Sequence, residues 1–422
     1  MSYSFDLNDS FAGFTPPTPP DGCTQCGICL SSCPTFAKSE DMEQSPMGRI
    51  RLMRSLENDS SEGMAPEKLD KLESCLGCYS CESVCPSRVN YGTLLDESLA
   101  RLREQRPLPR ITRMMLWLAY KTSFIRPIVQ VTWLAQVMGL RTLLAKLGLL
   151  KLMGMQRANA LLGEVVYPTR LTNRVQQPGQ RVALFTGCFS SVMEQEIQQA
   201  AIDVFNALGL EVALPKGQCC CGALHRHNGE PETAGKLARN NIKAFSADQA
   251  DAIITTSSGC GASLKKYGEW LEGEELATPV MDVSHYLANA LRQHKLEFDH
   301  LPLKVAVHTP CTLRPGEDQE EAVAELLQKI PGLEIVPLSG APRCCGAGGS
   351  QILSQPQMAD ALRDDIVDEI RATGAEILIS SNLGCAMHLR EGLAQAGIDI
   401  PLQHPVQLIS QAMVRDECVW TN

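Results

Sequence analysis

Eight of the 18 cysteines fall into two copies of one spacing, Cys23-x-x-Cys26-x-x-Cys29-x-x-x-Cys33-Pro34 and Cys75-x-x-Cys78-x-x-Cys81-x-x-x-Cys85-Pro86. Thiolates at i, i+3 and i+6 can wrap one face of an iron-sulfur cube, and a fourth just ahead of proline is directed to the neighbouring cube when two are present. The spacing predicts two [4Fe-4S] clusters, one on Cys23, Cys26, Cys29 and Cys85 and the other on Cys75, Cys78, Cys81 and Cys33. The chemistry such a pair supplies is single-electron transfer. Structural zinc needs two CxxC pairs and a tetrahedral set, which would leave the third cysteine and the proline of each motif unexplained.

Eight further cysteines sit in a second repeat. Residues 181 to 260 and 304 to 385 match at an offset of 123 to 125. Arg181 to Cys188 matches Lys304 to Cys311, the Cys220-Cys221-Gly222 run matches Cys344-Cys345-Gly346, and Gly259-Cys260 matches Gly384-Cys385. An internal period of this size marks a duplicated structural unit. Cys188, Cys220, Cys221 and Cys260 form one candidate ligand set, and Cys311, Cys344, Cys345 and Cys385 the other. Adjacent cysteines on a regular strand point to opposite faces, so Gly222 and Gly346 must supply a loop that turns both sulfurs inward. Cys219 and Cys418 have no counterpart in a repeat and are expected to be bystanders.

The elements that hold these cysteines follow from the pattern around them. Short, uninterrupted β-branched runs such as Ile253-Ile254-Thr255 and Leu378-Ile379-Ser380 read as buried parallel strands, and the stretches Glu194 to Leu208 and Gln357 to Ala372 read as helices between them. The cysteines that directly follow strands should then gather at the carboxyl edge of each sheet, where open α/β sheets place ligands. The expected fold is a multidomain α+β chain. It comprises a disordered leader (1–22), a helical ferredoxin-type domain with two [4Fe-4S] sites (23–105), a basic apolar helical connector (106–175), and two repeated α/β Cys-Cys-Gly domains with parallel sheets (176–300 and 301–416). The Pro-rich start, Thr15 to Pro20, has no basic or apolar region of a secretory signal, and reduced cysteines in this number fit a cytoplasmic setting.

The formal net charge is −10, which argues against nucleic acid as a partner. Its distribution is uneven. Between Gln105 and Gly163 there is no acidic residue, and nine cations from Arg106 to Arg157 give +9 to a stretch that also holds Trp117, Trp133 and a Leu-rich run. Its longest uncharged stretch, Pro127 to Leu140, has 14 residues and is too short to cross a bilayer. Two placements are compatible with it: on an anionic membrane surface, or packed against the cluster domain or a partner subunit. His225, His227, His308 and His388 lie near repeat cysteines and are expected mostly as solvated loop side chains. No GxGxxG after a strand, phosphate loop or nucleophile elbow occurs, so no flavin site and no catalytic residue is expected on this chain.

The doubled motif, Gly48-Arg49-Ile50-Arg51 and the two Cys-Cys-Gly repeats together resemble the iron-sulfur subunits of bacterial glycolate oxidase, over nearly the whole chain beyond the leader. Iron-sulfur subunits of anaerobic glycerol-3-phosphate dehydrogenase and of lactate-utilisation systems share the layout, and the repeats look like those of the heterodisulfide reductase B subunit. Gly222-Ala223-Leu224-His225 and Ser258-Gly259-Cys260-Gly261-Ala262 favour the glycolate oxidase branch. The resemblance implies an electron carrier within a glycolate dehydrogenase complex at the inner face of the cytoplasmic membrane. An FAD-containing partner would oxidise glycolate, with D-lactate as a second substrate, and electrons would pass to the quinone pool. A lactate or glycerol-3-phosphate dehydrogenase subunit, or a thiol/disulfide reductase, is the alternative. Heterodisulfide reductase repeats end in CxxC, whereas Ser257 and Asn382 stand at the first position of that pair here. Each repeat thus keeps four candidate ligands for a further cluster.

Overall fold

The computed structural model describes residues 22–58, 65–173, 180–313, 319–338 and 344–414. The expected leader and Cys418 lie outside the described residues. Five helices make the N-terminal unit: Pro34–Ser39, Pro46–Asn58, Pro66–Glu73, Ser80–Ser83 and Tyr91–Gln105. Prolines open three of them at the first turn, where a missing N–H costs nothing and φ is already helical. Ile50, Met53, Leu69, Leu72, Leu95, Leu99 and Leu102 recur at helical spacing and meet in one core. Gly48 is required at the start of its helix, because a Cβ there would stand 1.9 Å from the Met42 carbonyl oxygen.

The second half contains two parallel four-stranded sheets. Strands β1 (Arg181–Phe185), β2 (Glu211–Ala213), β3 (Ala252–Thr255) and β4 (Val280–Asp282) lie in the order β2-β1-β3-β4, and β5 (Lys304–His308), β6 (Glu334–Pro337), β7 (Ile377–Ser380) and β8 (Leu402–Gln403) repeat it as β6-β5-β7-β8. The helices expected over Glu194 to Leu208 and Gln357 to Ala372 are observed as Gln195–Ala207 and Pro356–Thr373.

Alternation along the strands explains how the copies join. Val182, Leu184, Ala252 and Ile254 share one core with Val305, Ile377 and Ile379 of the other sheet, while Ala183, Phe185 and Ile253 face an outer core. The inner faces are covered by helices Gln195–Ala207 and Val283–Gln293 of the first copy, packed on Pro405–Ala412 and Gln319–Leu327 of the second. With both faces of each sheet buried, an uninterrupted apolar run is the pattern a strand needs. The strand ends of the two sheets meet at a seam. There the Ser258 N–H donates to the Ser381 carbonyl (3.0 Å), Thr312 Oγ1 lies 2.7 Å from Ser258 Oγ, and His404 Nε2 donates to the Thr256 carbonyl (2.9 Å).

Between the two halves runs a series of short helices: Arg110–Tyr120, Ile125–Val137, Leu140–Lys146, Leu149–Leu152 and Gln156–Leu162. Left-handed Gly139, Gly148 and Gly154 separate those in the middle. The last helix is pinned by Arg157, which pairs with Asp360 (2.6 Å) and Glu391 (3.2 Å) of the second copy.

Candidate redox centres

Both N-terminal motifs bend in the same way. Gln25 and Gly27 in the first, and Gly77 and Tyr79 in the second, all adopt φ between 52° and 81°. These are matching positions within the two CxxCxxC runs, and left-handed residues there roll three successive sulfurs toward one side. Gln25 and Tyr79 carry side chains in a region that costs an L-residue about 1 kcal/mol or more. Gln25 is steadied by Arg51, whose Nη2 donates to its Oε1 (2.6 Å).

Two sulfur-lined cavities result. One is lined by Cys23, Cys26, Cys29, Cys81 and Cys85, with Met47, Ile50 and Val89 among its walls. The other is lined by Cys33, Cys75, Cys78 and Cys81, with Leu76, Tyr79 and Tyr91. In each cavity three cysteines of one motif meet the pre-proline cysteine of the other. Burial, and then the neighbouring thiols, push Cys78 up to about 12 and Cys81 higher still, and Cys29 is raised for the same first reason. Thiolates so crowded in a low dielectric need a cationic core to exist, which is what an iron-sulfur cube provides. The donor set and the cavities fit that group.

Arg49 stands behind the second cavity. It is 1% exposed and donates from Nε to the Lys71 carbonyl (2.9 Å), from Nη1 to Thr35 Oγ1 (3.0 Å) and from Nη2 to Ser74 Oγ (3.0 Å). Thr35 Oγ1 in turn lies 3.2 Å from Cys33 Sγ, and Tyr91 donates to Cys75 Sγ (3.5 Å). Although burial opposes its charge, Cys75, Tyr91 and Cys33 hold the guanidinium above its ordinary value.

The repeat cysteines also converge. In the first copy Cys220 contacts Cys188 and Cys221, and Cys221 contacts Cys260. Hydrogen bonds from Cys220 and Cys260 hold Cys221 well below its ordinary value, as for a thiolate accepting from two thiols. Gly222 and Gly346 have φ of 87° and 75°, the turn that brings adjacent cysteines together. In the second copy Cys344 contacts Cys311, and Cys345 and Cys385 are paired with their Cα atoms 5.7 Å apart. Cys311 and Cys344 also lie within electrostatic reach of Cys78, which sets the second copy against the N-terminal unit. Cys219 donates to the Leu237 carbonyl (3.5 Å) and also lies within electrostatic reach of Cys221 and Cys188.

One expectation changes. His225, His308 and His388 are not solvated: they are 2%, 5% and 0% exposed. His388 is bonded to the Cys345 carbonyl (2.8 Å), and His308 groups with Cys345 and Cys385 where the first copy has Phe185. An added Cβ at Gly259 would stand 3.0 Å from the Asn382 side chain across the seam, and one at Gly384 would stand 3.4 Å from the same side chain within its own copy. The connector buries Leu116, Ala119, Ile125 and Leu161 against the rest of the protein and leaves many of its other large apolar side chains exposed. Arg49, Gln25 and Tyr79 were missed as site residues, and the Gly-Arg pair inside a helical pattern was the one signal for Arg49.

Fold and sulfur sites together define an electron-transfer subunit built from a dicluster unit and a duplicated cysteine-rich unit. The family models agree: a "4Fe-4S dicluster domain" matches residues 22–90, and a "Cysteine-rich domain" matches 182–265 and 305–390. The chain is 31% identical to the "Probable glycolate oxidase iron-sulfur subunit" of Bacillus subtilis, covering 89% of each. It is 30% identical to the "Glycolate oxidase iron-sulfur subunit" of Escherichia coli, covering 93% and 94%. More distant is "Lactate utilization protein A" of Geobacillus thermodenitrificans, 28% identical over 54% of this chain and 98% of that one. The chain belongs to the family of glycolate oxidase iron-sulfur subunits. It carries [4Fe-4S] clusters and works in an oxidoreductase complex with at least one other subunit.

Proposed function

We propose that the eight motif cysteines hold two [4Fe-4S] clusters in crossed sets, Cys23, Cys26, Cys29 and Cys85 for one and Cys33, Cys75, Cys78 and Cys81 for the other. The observation that carries this is the lining of the two cavities, each drawing its fourth sulfur from the opposite motif. Bound there, such clusters accept and release single electrons. The source of electrons is an FAD-containing partner that oxidises glycolate to glyoxylate, and the acceptor is the quinone pool at the inner face of the cytoplasmic membrane. The names of the two glycolate oxidase relatives support this reading.

The chain's own residues do the rest. Cys26 is exposed beside Ile28, itself 51% exposed, so a docked partner can come close to the first sulfur set. Leu76, Tyr79 and Tyr91 wall the second set from water, and the Arg49 guanidinium holds its two halves in register. The second repeat supplies Cys311 and Cys344 next to Cys78, a further sulfur set for another cluster, with Cys188, Cys220, Cys221 and Cys260 beyond the seam.

Anaerobic purification with iron and sulfide analysis and electron paramagnetic resonance tests the assignment. Two cubes require about 8 iron atoms, and more would enlist the repeats. Cys26→Ser and Cys78→Ser should each remove a different cluster signal and stop reduction of the chain by partner plus glycolate. A colourless protein containing zinc, or both variants retaining both signals, would end this reading.

A further inference from the structure

The connector bears most of the exposed large apolar side chains among the described residues. Among the described residues, 18 of the 23 exposed large hydrophobic side chains lie between Met114 and Tyr167. Val131, Val137, Met138, Leu147, Leu152 and Met153 are each more than 60% exposed. A patch of this extent on a protein surface marks an interaction site.

Charge identifies the occupant. Arg110, Arg113, Lys121, Lys146 and Lys151 are exposed and make no salt bridge among the described residues, and no acidic residue interrupts the stretch from 105 to 163. The remaining cations are used internally: Arg126 donates to the Thr169 carbonyl (2.9 Å), Arg141 to Asn159 Oδ1 (2.6 Å), and Arg106 and Arg157 to carboxylates. A face that is apolar and cationic complements anionic lipid. The helix format agrees with a surface position. No single helix among the described residues is long and apolar enough to cross a membrane, and the pair Thr122–Val137 and Leu140–Lys146, which together are, is bent by 77°. Trp117 and Tyr120 stand on the same segment, 48% and 41% exposed, and such rings favour the boundary between headgroup and acyl chain.

We propose that the face from Met114 to Met155 docks on an anionic lipid bilayer, with the first repeat's cysteines directly behind it. Ala119 and Ile125 of the connector share one core with Cys188, Cys220 and Cys221, and the Tyr120 ring meets His225 edge-on at 6.3 Å. Docking therefore orients the molecule with the first repeat's cysteines toward lipid. This deepens the membrane location proposed above and rests on it.

The test uses the full, cluster-loaded chain with vesicles of phosphatidylcholine alone or with added phosphatidylglycerol. Flotation should be strong only with phosphatidylglycerol, and Trp117 fluorescence should be quenched by spin-labelled lipid. The double variants Lys146→Glu/Lys151→Glu and Val131→Glu/Leu152→Glu change only exposed side chains. Each should lower the bound fraction about tenfold or more. Equal flotation of wild type and variants overturns the proposal. So does shielding of Trp117 from aqueous quencher by the partner subunit in the absence of lipid, which would make this a protein interface. Reduction of the same variants by partner plus glycolate, without vesicles, should be unchanged. Its failure in the wild type would sink the electron-transfer reading and leave the flotation result standing.

Discussion

Replacing Arg49 by methionine probes the second cavity most directly. The guanidinium joins the helix that follows Cys33, through Thr35, to the residues just before Cys75, through Lys71 and Ser74. Three hydrogen bonds from a charged donor are each worth about 1.5–3 kcal/mol. Two circumstances reduce the sum. Thr35 still donates to the Gln44 carbonyl (2.9 Å) and Ser74 to the Lys71 carbonyl (2.8 Å), so no partner is left wholly unpaired, and the buried cation no longer has to be desolvated. The net loss should be about 3 kcal/mol. If it falls on the unfolding barrier, visible absorbance should bleach in urea on the order of 100-fold faster.

Electrostatics gives a second readout. A unit charge about 8 Å away in an effective dielectric of about 20 is worth about 2 kcal/mol, or roughly 100 mV. Arg49→Met should therefore lower the midpoint potential of the centre nearest Cys33 and Cys75 by that order, whereas Arg49→Lys keeps the charge and should move it far less. Redox titration followed by electron paramagnetic resonance separates the two variants. Unchanged bleaching and an unchanged potential in Arg49→Met would refute the reasoning, since a bystander arginine predicts both.

Buried ionisable groups give opposite pH signatures. Asp282 caps the helix Val283–Gln293 by accepting from the Ser284 N–H (2.8 Å), and burial raises its carboxyl to about 6. Its folded-state value lies above the ordinary 3.8, so the stability tied to it is complete below 3.8 and is lost as pH rises through 6. Asp282→Asn, which preserves the cap, should therefore stabilise the fold at pH 8 by up to about 3 kcal/mol and hardly at pH 4, as measured by urea midpoints. His404 behaves in reverse: burial lowers it to about 3, so its contribution is complete above 6.5 and is lost as pH falls toward 3. Acid unfolding should accordingly begin near pH 6, and His404→Asn should flatten that limb. Gly346→Ala forces a Cβ to 2.2 Å from the Ala359 carbonyl oxygen at φ 75°, whereas at Gly222 the nearest atom is 3.2 Å away at φ 87°. Thermal unfolding should show the larger loss, several kcal/mol against about 1–2, in Gly346→Ala.

The local sequence determined the sulfur chemistry and the repeated unit, because both depend on spacing along the chain. Three thiolates within seven residues can face one cube whatever the rest of the chain does, and β-branched runs buried on both faces announce parallel strands on their own. Tertiary structure decided what lies beside what. That Cys78 faces Cys311 and Cys344, that the two sheets share a core, and that Arg49 lies behind Cys33 and Cys75 depend on contacts between residues far apart in sequence. The histidines show the limit clearly. The sequence around His225 and His388 reads as loop, yet the first is buried against Glu230 (2.7 Å), where the chain folds back five residues on, and the second against Asp360 (3.0 Å), which the separate helix Pro356–Thr373 supplies. The connector shows the converse. Its composition signalled an apolar, cationic segment, but only packing could decide which side of each short helix the rest of the protein would leave exposed.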